Sequence, residues 1–119
     1  MQENIERAIL VAVNVNSQKF FMESLEELEE LVKACDMLPI GTMIQNLEQV
    51  NNSLYIGSGK VEEVRQKVLE TNADLIIFNN ELTPSQLRNL QKILDVPILD
   101  RQTVCPGTAA WRYHHWKSV

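Results

Sequence analysis

The sequence is short of cysteine, glycine, proline and aromatic residues, and it has no long apolar run. Its two cysteines, Cys35 and Cys105, are too few for a disulfide framework and fit a reducing compartment. Four glycines and four prolines in 119 residues leave no room for a low-complexity linker or a fibrous repeat. No stretch approaches the roughly 20 apolar residues that a bilayer span requires. The opening Met1-Gln2-Glu3-Asn4 lacks the basic and apolar regions of a secretory signal. Together these absences predict a cytoplasmic chain.

What is present describes an ordinary globular domain. Hydrophobic residues make up 45% and charged residues 23%, which excludes disorder over most of the length. The length argues for one folding unit with a real core. A net charge of −5 opposes non-specific binding to a nucleic-acid backbone. That charge is unevenly placed. Residues 1–100 hold 8 basic against 16 acidic residues, whereas 101–119 hold Arg101, Arg112 and Lys117 with no acid. Both tryptophans, Trp111 and Trp116, and both histidines, His114 and His115, also fall in that last stretch. The composition break divides the chain into a folded unit over 1–101 and a divergent tail over 102–119.

Apolar patterning organises the first unit. Ala8-Ile9-Leu10-Val11-Ala12-Val13-Asn14-Val15 is a near-continuous, β-branched run of the kind buried on both faces of a parallel sheet. Ser24-Leu25-Glu26-Glu27 has the form of a capping box, and Leu25, Leu28, Val32 and Cys35 follow at helical spacing. This predicts a helix over 24–35. A second strand is expected over 38–45, with Pro39 near its start because proline does not donate into a sheet interior. The Asn-rich stretch 46–52 reads as a loop and Leu54-Tyr55-Ile56 as a short apolar piece. A helix follows over 59–71 and a buried strand over 73–78. Thr83-Pro84-Ser85-Gln86 opens a third helix, with Thr83 as N-cap, Pro84 at the first helical position and Gln86 closing the box. Residues 96–100 make a fourth short strand. Alternating strands and helices predict an α/β fold: a small, mostly parallel sheet of about four strands with helices packed on it.

Three constellations carry candidate chemistry. Gly57-Ser58-Gly59-Lys60 stands at a strand-to-helix turn, where backbone N–H groups and a helix N-terminus hold anions. It is not a P-loop, because Leu54 occupies the first glycine position and Val61 stands where Ser or Thr must hold magnesium. A nucleotide or RNA phosphate contact through Gly57, Ser58, Gly59 and Lys60 is one reading, and a tight turn that starts a helix is the other. The strand ends carry Asn14, Asn16, Asn79 and Asn80 with only Glu81 nearby, too little negative charge for a magnesium-dependent phospho-acceptor. Asp100-Arg101 reads as a local polar contact. Cys35, Cys105, His114 and His115 lack the close ligand pairs of a zinc site, and Cys35 lies on an apolar helix stripe. No metal or catalytic residue is assigned.

Several segments, taken together, resemble the N-terminal domain of the HflX family of ribosome-associated GTPases. They are Glu6-Arg7-Ala8-Ile9-Leu10-Val11, Ser24-Leu25-Glu26-Glu27-Leu28, Tyr55-Ile56-Gly57-Ser58-Gly59-Lys60-Val61-Glu62-Glu63, 73–86 with Arg88-Asn89-Leu90, and Val96-Pro97-Ile98-Leu99-Asp100-Arg101. Order and spacing agree across about 5–101. The resemblance implies an α/β module that precedes a helical hairpin and a GTPase domain in a cytoplasmic protein using GTP and Mg. It implies the large ribosomal subunit as partner, contact with ribosomal RNA, and nucleotide binding outside the GTPase domain. By the same resemblance, Gly57, Gly59 and Lys60 are the residues for such a contact. No P-loop, D-x-x-G or N-K-x-D occurs in the 119 residues, so hydrolysis is not carried over and the domain is expected to be non-catalytic. Cys105-Pro106-Gly107-Thr108-Ala109-Ala110-Trp111 leaves the family pattern, as a truncation or a shifted reading frame would produce. The competing expectation is a small nucleotide- or phosphate-binding α/β enzyme or regulatory domain built on the same sheet.

Overall fold

The apolar run at 8–15 becomes β1 (Glu6–Val15), the inner strand around which the rest is wound. The computed structural model describes residues 5–104, and the expectations for 105–119 lie outside those residues. After β1 the chain forms α1 (Phe21–Ala34), β2 (Met37–Leu47), α2 (Ser58–Thr71), β3 (Leu75–Phe78), α3 (Pro84–Leu94) and β4 (Ile98–Leu99). The sheet is four-stranded in the order β2-β1-β3-β4, and every pairing is parallel. The α/β architecture expected from the alternation of patterns is therefore present.

Successive β1 side chains point to opposite faces, and both faces are covered. Ala8, Leu10 and Ala12 pack with Leu25, Leu28 and Val32 of α1. Ile9, Val11 and Val13 pack with Val61, Val64 and Val68 of α2 and with Leu90 and Leu94 of α3. One helix on one face and two on the other is what right-handed crossovers require for this strand order. Double-sided burial also explains why β1 and β3 show no hydrophobic alternation.

Several boundaries differ from the sequence reading. The capping box at Ser24 is not formed: α1 starts at Phe21, its N-cap is Phe20, and no side chain caps it. Phe21 is buried against the sheet, so packing draws the helix a turn earlier than the Ser-Glu pattern indicates. β2 continues through Asn46 and Leu47, and Pro39 is its third residue. The β1–β2 register jumps from Ala8↔Pro39 to Ile9↔Gly41, leaving Ile40 as a bulge in an edge strand, a position that tolerates proline. Residues 54–56 form no strand; Asn51 and Tyr55 make an isolated antiparallel bridge. The capping box at Thr83 is present as expected, with both reciprocal bonds and Pro84 in the first turn.

Candidate functional site

Parallel strands and intervening helices bring all strand C-termini and helix N-termini to one edge of the sheet. The chain leaves β1 toward β2 on one side and later occupies β3 on the other. The gap between the β1 and β3 ends is the switch point where open α/β sheets bind ligands.

Asn80 fills that gap. Its Oδ1 accepts the Val13 N–H at 2.9 Å, and its Nδ2 donates to the Val13 carbonyl at 3.1 Å. A carboxamide offers the same donor and acceptor as a peptide, so it extends the β1–β3 ladder beyond the Val11↔Phe78 pair. The Tyr55 hydroxyl hydrogen-bonds the Asn80 side chain. The Tyr55 ring stands edge-on to Phe78, with centroids 6.5 Å apart and planes at 84°. Burial pushes the Tyr55 phenol above its ordinary value, and the Asn80 bond partly offsets that rise. Tyr55 has a φ of 69°, unusual for a bulky residue. Its backbone is held by Asn51 on both polar groups, at 3.2 and 2.9 Å. The loop is in turn tied to α3: Gln86 Nε2 donates to the Asn51 and Asn52 carbonyls, and Asn89 to Ser53.

A second group clasps the α1 side of the same edge. Arg101 Nη1 donates to Asn79 Oδ1 at 2.6 Å and to the Ser24 carbonyl at 3.1 Å, while Nη2 meets Glu27 at 2.8 Å. Asn79 Nδ2 donates to Ser24 Oγ at 3.2 Å. Asp100 is buried and turns away from Arg101. Its Oδ2 accepts the Leu82 N–H at 2.8 Å, and its Oδ1 accepts the Thr103 N–H at 3.1 Å. The single local polar contact expected at Asp100-Arg101 is replaced by two separate sets of bonds, because Asp100 holds Leu82 and Thr103 while Arg101 reaches back to Asn79, Ser24 and Glu27. Asn14 Oδ1 caps the turn by accepting the Gln18 N–H at 2.7 Å.

Gly57, Ser58, Gly59 and Lys60 form the N-terminus of α2. Gly57 is the N-cap, with an extended backbone at φ −68° and no capping side chain. Its N–H donates to Gln45 Oε1 at 3.2 Å. A Cβ at Gly57 would make only an ordinary 3.5 Å contact with Gln45, and one at Gly59 would meet open space. Neither glycine is demanded by conformation or by packing within the domain. Their effect is to leave the first N–H groups of α2 uncovered, in a first turn without acidic residues. Lys60 is engaged: its Nζ lies 3.0 Å from Glu63 Oε1. Among the described residues no group of three or more His, Cys, Asp or Glu is placed to hold a metal ion. Cys35 is buried in the core on the α1 face, and Cys105, His114 and His115 lie outside the described residues. Sequence reasoning missed Tyr55 and the Arg101 clasp. The only local signal for either was a polar or aromatic residue next to an element end.

Fold and edge together define the class, an open, all-parallel α/β domain whose strand C-termini and helix N-termini share one edge. The profile of GTP-binding GTPase N-terminal domains matches residues 22–105. The chain is 41% identical over 104 residues to GTPase HflX of Lacrimispora saccharolytica, covering 87% of this chain and 25% of that protein. It is 44% identical over 101 residues to GTPase HflX of Alkalihalophilus pseudofirmus, covering 84% and 24%. Against GTPase HflX of Escherichia coli K12 the identity is 29% over 96 residues. The chain belongs to the family of HflX N-terminal domains, and it spans about a quarter of the length of these relatives. The fold is also that of a crystallised SsGBP variant, with a TM-score of 0.59 and 21% identity over 82% of this chain and 29% of the other. No helix among the described residues is long and apolar enough to cross a membrane.

Proposed function

We propose that the domain is the non-catalytic docking module of an HflX-type GTP-binding protein, meeting RNA phosphate on the large ribosomal subunit through Gly57, Ser58, Gly59 and Lys60. The observation that carries this reading is the uncovered N-terminus of α2, whose glycines serve no packing or conformational need of the domain itself. Helix N-terminal N–H groups favour an anion, and a glycine approach lets a phosphate oxygen come close. GTP, Mg and hydrolysis belong on this reading to the remaining three quarters of the relatives' length, and the site of action is the cytoplasm. The net charge of −5 restricts contact to this local cradle, because phosphate neutralisation dominates RNA affinity.

Co-sedimentation with purified large ribosomal subunits tests it, using the chain alone and a full-length relative. Gly59→Asp places a carboxylate in open space at the cradle without disturbing packing, and Lys60→Ala removes the cation. Both are expected to reduce pelleting about tenfold or more at moderate salt. Undiminished pelleting of both variants removes these residues from the interface. The nucleotide-binding alternative is tested by calorimetry with ATP, GTP and nucleoside monophosphates, where binding accompanied by turnover would favour it.

A further inference from the structure

The edge strand β2 offers an interaction surface independent of the α2 cradle. Asn16 N–H donates to the Leu47 carbonyl at 2.9 Å, which turns the backbone polar groups of Leu47 toward β1. Alternate residues of a strand in parallel pairing point to opposite neighbours, so Met43 and Gln45 also face β1. The N–H and C=O groups of Thr42, Ile44 and Asn46 therefore face outward, where no described strand lies. The same alternation places the missing N–H of Pro39, paired to Ala8, on the free side. Proline and the bulge at Ile40 blunt the first part of this edge. The part from Thr42 to Leu47 has neither device, and no charged residue occurs anywhere in β2. Thr42, Ile44 and Asn46 are all exposed, with Ile44 at 39%.

Charge around the edge selects the occupant. α1 turns Ser24 and Glu27 toward Arg101 at the far side of the sheet. At helical spacing its opposite flank, carrying Met22, Glu26 and Glu29, overlooks β2. Met22 is exposed, and neither Glu26 nor Glu29 has an ion-pair partner among the described residues. On the other face Lys67 of α2 lies beside Gly41 of β2. A second copy paired antiparallel across this edge would set α1 beside α1 and Lys67 near Lys67. Like charges would then meet on both faces.

We propose that β2 between Thr42 and Leu47 receives an extended segment of a different polypeptide as an added strand, with basic side chains on the side facing α1. Backbone groups of Thr42, Ile44 and Asn46 supply its hydrogen bonds, Ile44 (in register with Ala12 on the α1 face) and Met22 pack along the alkyl stems of its basic side chains, and Glu26 and Glu29 supply its preference for cations.

The test is titration of the labelled 119-residue chain with the peptide Lys-Val-Lys-Ile-Lys-Val, followed by amide spectra and hydrogen exchange. The amides of Thr42, Ile44 and Asn46 should shift and exchange about tenfold or more slowly, as newly bonded donors do. A peptide with Glu in place of Lys should bind about tenfold or more weakly. Thr42→Pro removes an outward donor without breaking the ladder to β1, and Ile44→Lys adds a repelling cation at an exposed position. Each should abolish the shifts while the remaining amide spectrum stays that of the parent fold. Three results overturn the proposal: no change at these amides with millimolar peptide, equal binding of the acidic peptide, or protection of the same amides on raising protein concentration alone. The last would assign the edge to a second copy.

Discussion

At the scale of single residues, the C-terminal edge of the sheet is held by side chains that imitate backbone. Asn80 is the clearest instance, since it bonds both polar groups of Val13 across 67 positions of sequence. Asn80→Ala leaves that N–H and C=O without partners and should lower stability by about 1–3 kcal/mol in urea unfolding, a typical cost for unsatisfied half-buried groups. Asn80→Asp is expected to cost as well, because a carboxylate does not donate to the Val13 carbonyl. Tyr55 makes a pH-dependent contribution. Its phenol is raised in the folded state, so its stabilising effect is complete below the unfolded value of about 10 and is lost as pH climbs through the folded value. Thermal melts between pH 8 and 12 should show a decline above pH 10 that Tyr55→Phe reduces.

At the scale of elements, two Ser/Thr-x-x-Glu/Gln patterns had different fates. Thr83 caps α3, and Thr83→Ala should lower stability by about 1 kcal/mol, the usual worth of an N-cap oxygen. Ser24 is already inside α1, its N–H bonded to the Phe20 carbonyl at 3.0 Å, so Ser24→Ala removes only the bond to Asn79 and leaves helix content unchanged. Circular dichroism with chemical unfolding of the two variants distinguishes these outcomes. Both patterns were equally visible in the chain. Burial of Phe21 against the sheet outweighed a cap worth about 1 kcal/mol, since burying a large apolar side chain contributes roughly 1.5–3 kcal/mol. The extension of β2 through Asn46 and Leu47 has a similar origin. These residues pair with Asn14 and Val15, and ladder bonds to a long central strand outweigh the weak strand preference of asparagine.

At the scale of the whole molecule, stability rests on two clusters separated by the sheet. Leu28 and Leu90 are fully buried, one in each cluster. Leu28→Ala or Leu90→Ala should each cost about 2–5 kcal/mol, whereas Leu69→Ala at an exposed position should stay within about 0.5 kcal/mol. Because the clusters share β1, all three variants should still unfold in one transition, read as coincident fluorescence and circular-dichroism curves. The ladder of β1 with β2 reaches Val15 and Leu47, while that with β3 stops at Phe78. This inequality leaves room for Asn80 at the switch point, and β2 keeps its outward edge.

The class of fold was legible in the chain because its determinants are local. Unbroken apolar runs at 8–15 and 75–78 require a sheet covered on both faces, and stripes at Val61, Val64 and Val68 or Leu87, Leu90 and Leu94 require helices lying on it. The motif around Gly57 to Lys60 and the segments up to Arg101 were also sufficient to recognise the family. Strand order, the free edge of β2, the bonding of Asn80 to Val13 and the reach of Arg101 to Ser24 were not legible. Each depends on residues brought together across tens of positions, and the last spans 77. Asparagine, arginine and tyrosine accept many partners, so only the packed arrangement of sheet and helices selects one.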